Sequence, residues 1–268
     1  MTTRTHIGIG IAALGLALAV SVAPVPAAPA PDTELRWQDH PAFAAQAAAA
    51  GTAKPVAGAV SGVITFAGNV PKPRPVNMGT DPLCAKVAGG VTSERLIVGP
   101  GGGLQNVFVY VKDGLGGKKF PAPTTPVTLD QKACRYIPHV FGIQVGQPLR
   151  VTNSDETLHN VHWTPKANPE TNFSQPRKTP PVTKTFAKPE VGVMIRCDVH
   201  GWMNGFAGVV DHPFFAVTAA DGSFQIKGLP AGSYTLEAWH ETQGTQTQKL
   251  TVDAKGTGTV SFTFKPKA

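Results

Sequence analysis

The sequence predicts an all-β protein, and three observations carry that expectation. Its 268 residues include 29 Gly and 25 Pro, which punctuate the chain too often for long helices. Period-2 alternation is clean over residues 104–111, where Val107, Val109 and Val111 face one way and Phe108 and Tyr110 the other. From Pro126 to Trp163 short apolar runs alternate with turn residues, the pattern of successive strands. Helical periodicity is confined to the N-terminus and the Ala-rich piece after it. The length suits one large or two modest domains, and 41% hydrophobic residues suffice for a core.

Residues 1–27 read as a cleaved secretory signal. Arg4 supplies the positive start, residues 7–22 form an uncharged, mostly apolar run, and Val25-Pro26-Ala27 precedes the expected cut before Ala28. The run is shorter than the roughly 20 residues that span a bilayer. A periplasmic or secreted location is expected, with no stable membrane insertion. Residues 28–56 are Ala/Pro-rich and read as a flexible leader. Trp37 and His40, within it, are assigned no chemistry.

Residues 59–66 form the first strand candidate, ended by Gly68 and the prolines at 71–75. The P-G-G-G at residues 100–103 lacks the Lys-Ser/Thr and helix of a phosphate loop and reads as a turn. Residues 165–190 form a polar, Pro-rich connection with room for one edge strand at 182–186. The net charge of +7 comes from scattered Lys and Arg without interleaved aromatics. That excludes a nucleic-acid binding stripe and suits solubility with a mild preference for acidic partners.

The chemistry concentrates in residues 196–205, R-C-D-V-H-G-W-M-N-G. Cys197, His200 and Met203 stand at a strict Cys-x-x-His-x-x-Met spacing. A thiolate, an imidazole and a thioether are soft ligands that suit copper, and a mononuclear electron-transfer site needs one more His. Residues 153–163, N-S-D-E-T-L-H-N-V-H-W, offer it. On a strand, His159, Val161 and Trp163 share one face, and Asn160 and His162 the other. Val191, Val193, Ile195 and Cys197 likewise share a face, with Met194 and Arg196 opposite. The apolar runs put His159 and Cys197 inward, so the strand period selects His159 over His162 and Met203 over Met194.

Export makes disulfides admissible, and three cysteines leave one over. Cys84 and Cys134 are the expected pair, with Cys197 left for a metal. The competing reading pairs Cys197 and frees one of the others.

Both ligand segments resemble the copper-binding segments of the cupredoxins, the amicyanin-like ones in particular, over residues 120–212. The resemblance implies a Greek-key β-sandwich with one copper held by His159, Cys197, His200 and Met203. It also implies that Asn160 ties its strand to the Cys loop. His200 is then expected near the surface, with Trp202 and Phe206 as an apolar docking patch around it. From residue 214, the D-G-S-F hairpin and L-P-A-G-S-Y corner resemble the carboxypeptidase regulatory-like, or prealbumin-like, β-sandwich. V-S-G-V-I-T-F and the strand at 107–111 resemble its first half. The expected plan is therefore a regulatory-like sandwich from residues 57–117 and 213–268, with the copper domain, 118–212, inserted between its parts.

The function expected is an exported type 1 copper protein carrying single electrons, and not an enzyme. A redox protein such as a c-type cytochrome or a periplasmic dehydrogenase is its implied partner. The alternative is a periplasmic copper carrier or an interaction module. A binuclear centre would want a second loop Cys, a multicopper oxidase further His-rich motifs, and structural zinc more thiolates. His139 reads as a core or surface residue. His240, near Glu237 and Glu241, is a weaker candidate without further ligands.

Overall fold

The computed structural model describes residues 58–87 and 89–266. The expected signal and leader lie outside the described residues. The described chain begins with strand β1 (Ala59–Phe66), a short helix α1 (Pro82–Val87) and strand β2 (Phe108–Asp113). There follow β3 (Val127–Lys132), β4 (Arg135–Ile137), β5 (Val140–Gln144), β6 (Leu149–Asn153), β7 (His159–Thr164), β8 (Thr171–Gln175), β9 (Val182–Lys184), β10 (Glu190–Arg196) and β11 (Asn204–Val210). The chain closes with β12 (Phe215–Val217), β13 (Ser223–Lys227), β14 (Gly232–His240), β15 (Gly244–Val252), β16 (Gly258–Thr259) and β17 (Phe262–Phe264). Among the described residues the class is all-β, with α1 and one 3-10 turn at Pro100–Gly102 as the helical pieces.

Strands from the two ends of the described chain share sheets. β1 pairs with β13, β16 and β17, and β2 lies between β12 and β14, which also pairs with β15. Val60, Ile64, Val107, Val109 and Val111 pack between these sheets against Ile226, Leu236 and Phe262. The alternation read over 107–111 thus delivers its valines to this core. β3 to β11 build the other two sheets, ordered β5-β11-β10-β7-β8 and β4-β3-β6-β9. Their shared core holds Leu129, Phe141, Val151, Val161, Trp163, Val193 and Ile195.

The other face of β2 is not solvent. Phe108 is fully buried with Val140 and Val210, and Tyr110, Phe206, Phe215 and Trp239 pack around them. Burying Phe108 contributes about 1.5–3 kcal/mol. Close approach of the layers depends on Gly208, where an added Cβ would stand 2.4 Å from the Phe108 ring.

One strand face departs from the simple period. Gly192 adopts φ +80, and the β10–β11 register slips between Val191 and Val193. This bulge turns Val191 into the cluster around Phe108, while Val193, Ile195 and Cys197 keep the inward face. The polar connection contains two strands rather than one. β9 pairs with β6, and β8 pairs with β7. β8 escapes a hydrophobicity reading because Phe173 is its only apolar residue.

Candidate metal centre

β7 and β10 pair antiparallel, with Ile195 opposite Trp163 and Arg196 opposite His162. β10 and β11 pair with Arg196 opposite Asn204. His159 at the start of β7, Cys197 just past β10 and Met203 just before β11 therefore stand at one end of three neighbouring strands. The loop between Cys197 and Met203 is closed by its own backbone. Cys197 N donates to Met203 O at 3.1 Å, and Met203 N donates to His200 O at 2.9 Å.

The structure brings the two imidazoles and the thiol together. His159 Nδ1 and His200 Nδ1 face each other at 2.9 Å, and Cys197 Sγ lies 3.9 Å from His200 Nδ1. Ligand atoms of these three residues all lie within 4.8 Å of one another, and all three residues are buried. Donors about 2.0–2.3 Å from a shared ion can be no more than about 4.6 Å apart, so separations of 2.9 and 3.9 Å fit one small cation. Met203 is also buried, in the same core cluster as Cys197.

Cys197 is the free cysteine, and Cys84 and Cys134 form a disulfide. The sulfur of Cys197 is prepared to carry charge. The backbone N–H groups of Asn160 and His200 donate to it at 3.4 and 3.3 Å. Burial raises its pKa, but His159 and the N–H groups of Asn160, His200 and Val199 outweigh that and hold the thiol below its ordinary range. His159 is pushed up to about 9: burial opposes its cation, while the Asp155 carboxylate and Cys197 favour it.

Asn160 links strand to loop through its side chain. Its Oδ1 accepts from Asp198 N at 2.5 Å, and its Nδ2 donates to Asn172 Oδ1. His162 points to the opposite face from His159 but is covered there, held between Asp198 at 2.9 Å and Glu170 at 2.5 Å. Met194 is exposed, on that same outer side. His139 is buried, with Nε2 2.5 Å from Glu241 and Nδ1 3.1 Å from Asn204 O. His240 is buried as an acceptor for the amides of Thr242 and Gln243.

Two features correct the surface reading. His200 is 3% exposed, because the segment carrying α1 folds over it. That segment is closed at its base by Val76 N to Val91 O and Ser93 N to Arg74 O. Near its tip, Asp81 Oδ2 accepts from His200 Nε2 at 3.0 Å, and Cys84 Sγ lies 3.9 Å from the same atom. Trp202 packs beside His200 in a tilted arrangement, with ring centroids 4.9 Å apart, and donates its indole N–H to Cys134 O. Phe206 packs on Trp239, at 5.4 Å. Exposed large apolar side chains flanking site residues in sequence are instead Leu83, Leu158 and Val199.

Sequence reasoning missed two residues, Asp81 and Asp155. Asp155 Oδ2 accepts from His159 Nε2 at 2.8 Å, as Asp81 does from His200. Asp81 is drawn down to about 2. Burial works against that shift, and the amides of Cys84 and Leu83 with His200 and Thr157 overcome it. Asp81 before Pro82 is an N-cap signature that could have located α1, though not its reach to His200.

Residues 209–265 match the family model of the carboxypeptidase regulatory-like domain. No curated protein sequence matches the chain. Among solved structures, a copper-containing nitrite reductase from Thermus scotoductus SA-01 aligns at 23% identity with a TM-score of 0.29. That alignment covers 37% of this chain and 25% of the other, so the chain spans a quarter of that relative's length. An amicyanin variant in its reduced Cu(I) form and another in its oxidized state each align at 18% identity. Both have a TM-score of 0.28 and cover 38% of this chain and 97% of theirs.

Proposed function

We propose that this protein is an exported type 1 copper protein that carries single electrons, its ion held by His159, Cys197, His200 and Met203. The observation that carries the reading is the buried meeting of two imidazole Nδ1 atoms with one free cysteine sulfur. Bound there, copper supplies a one-electron couple, and a thiolate with two imidazoles suits both of its oxidation states. Cys197 serves as the thiolate ligand, favoured by the two amides aimed at its sulfur. His159 and His200 present ring nitrogens from a strand and from a loop, closing the site from two sides. Met203 contributes a weak thioether ligand that tunes the potential. The core around Cys197 keeps water away. A role as electron carrier rather than enzyme is the reading that suits a thiolate, two imidazoles and a thioether. The partner is a redox protein such as a c-type cytochrome or a periplasmic dehydrogenase.

The test is the visible spectrum of the protein with one equivalent of Cu(II), beside Cys197→Ser. The expected result is an intense thiolate-to-copper band that the variant abolishes. A colourless protein that still holds copper tightly would overturn the reading in favour of a copper carrier.

A further inference from the structure

Resting on that reading, we infer that Asp81 and Asp155 are the positioning residues of the metal centre. Each accepts a hydrogen bond from Nε2–H of one ligand imidazole and thereby presents Nδ1 of that ring, as the lone-pair atom, to the space the two rings share with Cys197. A neutral imidazole has one N–H and one lone pair, and an ionised carboxylate can only accept. With an ion between the two Nδ1 atoms each ring keeps one proton, and Asp155 Oδ2 at 2.8 Å from His159 Nε2 and Asp81 Oδ2 at 3.0 Å from His200 Nε2 assign that proton to Nε2 in both. The same choice is made twice, by carboxylates from unrelated parts of the chain. Asp81 precedes α1, and Asp155 lies between β6 and β7.

Each carboxylate is itself fixed. Asp155 accepts from Ala133 N at 2.7 Å and Cys134 N at 2.8 Å, in a turn where both residues take positive φ. Asp81 Oδ1 accepts from Leu83 N at 2.7 Å and Cys84 N at 3.1 Å. Capping α1 uses only that oxygen; Oδ2 is turned to His200 and to Thr157 Oγ1 at 3.1 Å. Both carboxylates thus bind the amide of a bridged cysteine, and the Cys84–Cys134 disulfide joins the two clamps into one frame. Partners of this kind fix ring orientation and raise the basicity of the ligand nitrogen.

The experiment compares wild type with Asp81→Asn and Asp155→Asn. Asn remains a good N-cap, so Asp81→Asn keeps α1, and urea unfolding of each variant reports on folding separately. Three properties are read: the 15N spectrum of the histidine rings in the Cu(I) form, copper affinity by chelator competition, and the midpoint potential. Wild type is expected to show N–H at Nε2 of both His159 and His200. Each variant is expected to bind Cu(II) about 10–100-fold more weakly. A tenfold loss specific to Cu(II) raises the potential by about 59 mV. Ring spectra, affinity and potential that all stay unchanged in both variants would overturn the inference while leaving the copper reading intact. Loss of the blue band from wild type itself would overturn both.

Discussion

Removing the Cys84–Cys134 bridge tests how the roof over His200 is held. The substitution Cys84→Ala with Cys134→Ala avoids burying new hydroxyls at positions that are 0% and 1% exposed. The bridged residues are 50 apart in sequence, and freeing a loop of that size in the unfolded chain costs about 4 kcal/mol of stability in the chain-entropy treatment. For a protein of this size that is a fall in Tm of about 10 °C. Urea unfolding of the metal-free protein measures the stability. A second readout follows from geometry. Cys197 is then the sole thiol, and the contacts left to hold the α1 segment over His200 are the base of its hairpin, the packing of Met78 and the Asp81 hydrogen bonds. Alkylation of Cys197 in the metal-free variant should run faster than in the bridged protein. A stability loss under about 1 kcal/mol with an unchanged alkylation rate would mean that the non-covalent contacts hold the roof unaided and the bridge does not.

Two further perturbations address the layers and the acid response. Gly208→Ala places a methyl 2.4 Å from the Phe108 ring; overpacking of this kind costs about 1–3 kcal/mol, measurable by urea unfolding, and a neutral result would mean that the sheets can part freely. His240 is held down at about 4, burial outweighing Glu241 with His139 acting alongside burial, against 6.5 for an ordinary histidine. Between those values the unfolded chain binds a proton that the folded one refuses, so the contribution of His240 to stability is complete above pH 6.5 and is lost as pH drops toward 4, by up to about 3 kcal/mol. His240→Gln should flatten that slope between pH 6.5 and 4.5, and equal slopes in both proteins would contradict it.

That His159, Cys197 and His200 meet was legible because strand period and loop spacing are local. Alternation along residues 159–163 separates His159 from His162, and both rings lie where the period puts them. It failed at Val191, since the bulge at Gly192 leaves no hydrophobic trace. The surface around His200 was not legible at all. What covers it is a segment more than a hundred residues upstream in sequence, and Asp81 reaches it only because the fold closes a hairpin base at Val76 and Val91. His162 shows the same limit: its face is correct, yet Asp198 and Glu170 cover it from neighbouring segments. The second sandwich announces itself by its turns, and its matched range runs over residues 209–265. Its partners β1 and β2 are separated from it by the whole of β3 to β11; periodicity cannot bridge that distance, and it was the resemblance of their sequences to the first half of such a sandwich that placed them with the C-terminal strands.

The arrangement of strands bears directly on how little the site can move. His159 opens β7, Cys197 follows β10 and Met203 precedes β11, three strands hydrogen-bonded side by side. Displacing any one ligand relative to another therefore breaks ladder bonds or the two backbone bonds that close the Cys197–Met203 loop. Asn160 adds a strand-to-loop link at Asp198, and the disulfide adds a covalent one between the segments that clamp both rings. Packed interiors resist deformation because each shift forfeits contacts on one side. Constraint of this kind holds these side chains in place whatever charge the site carries, which is the physical requirement that the proposed electron carrier has to meet.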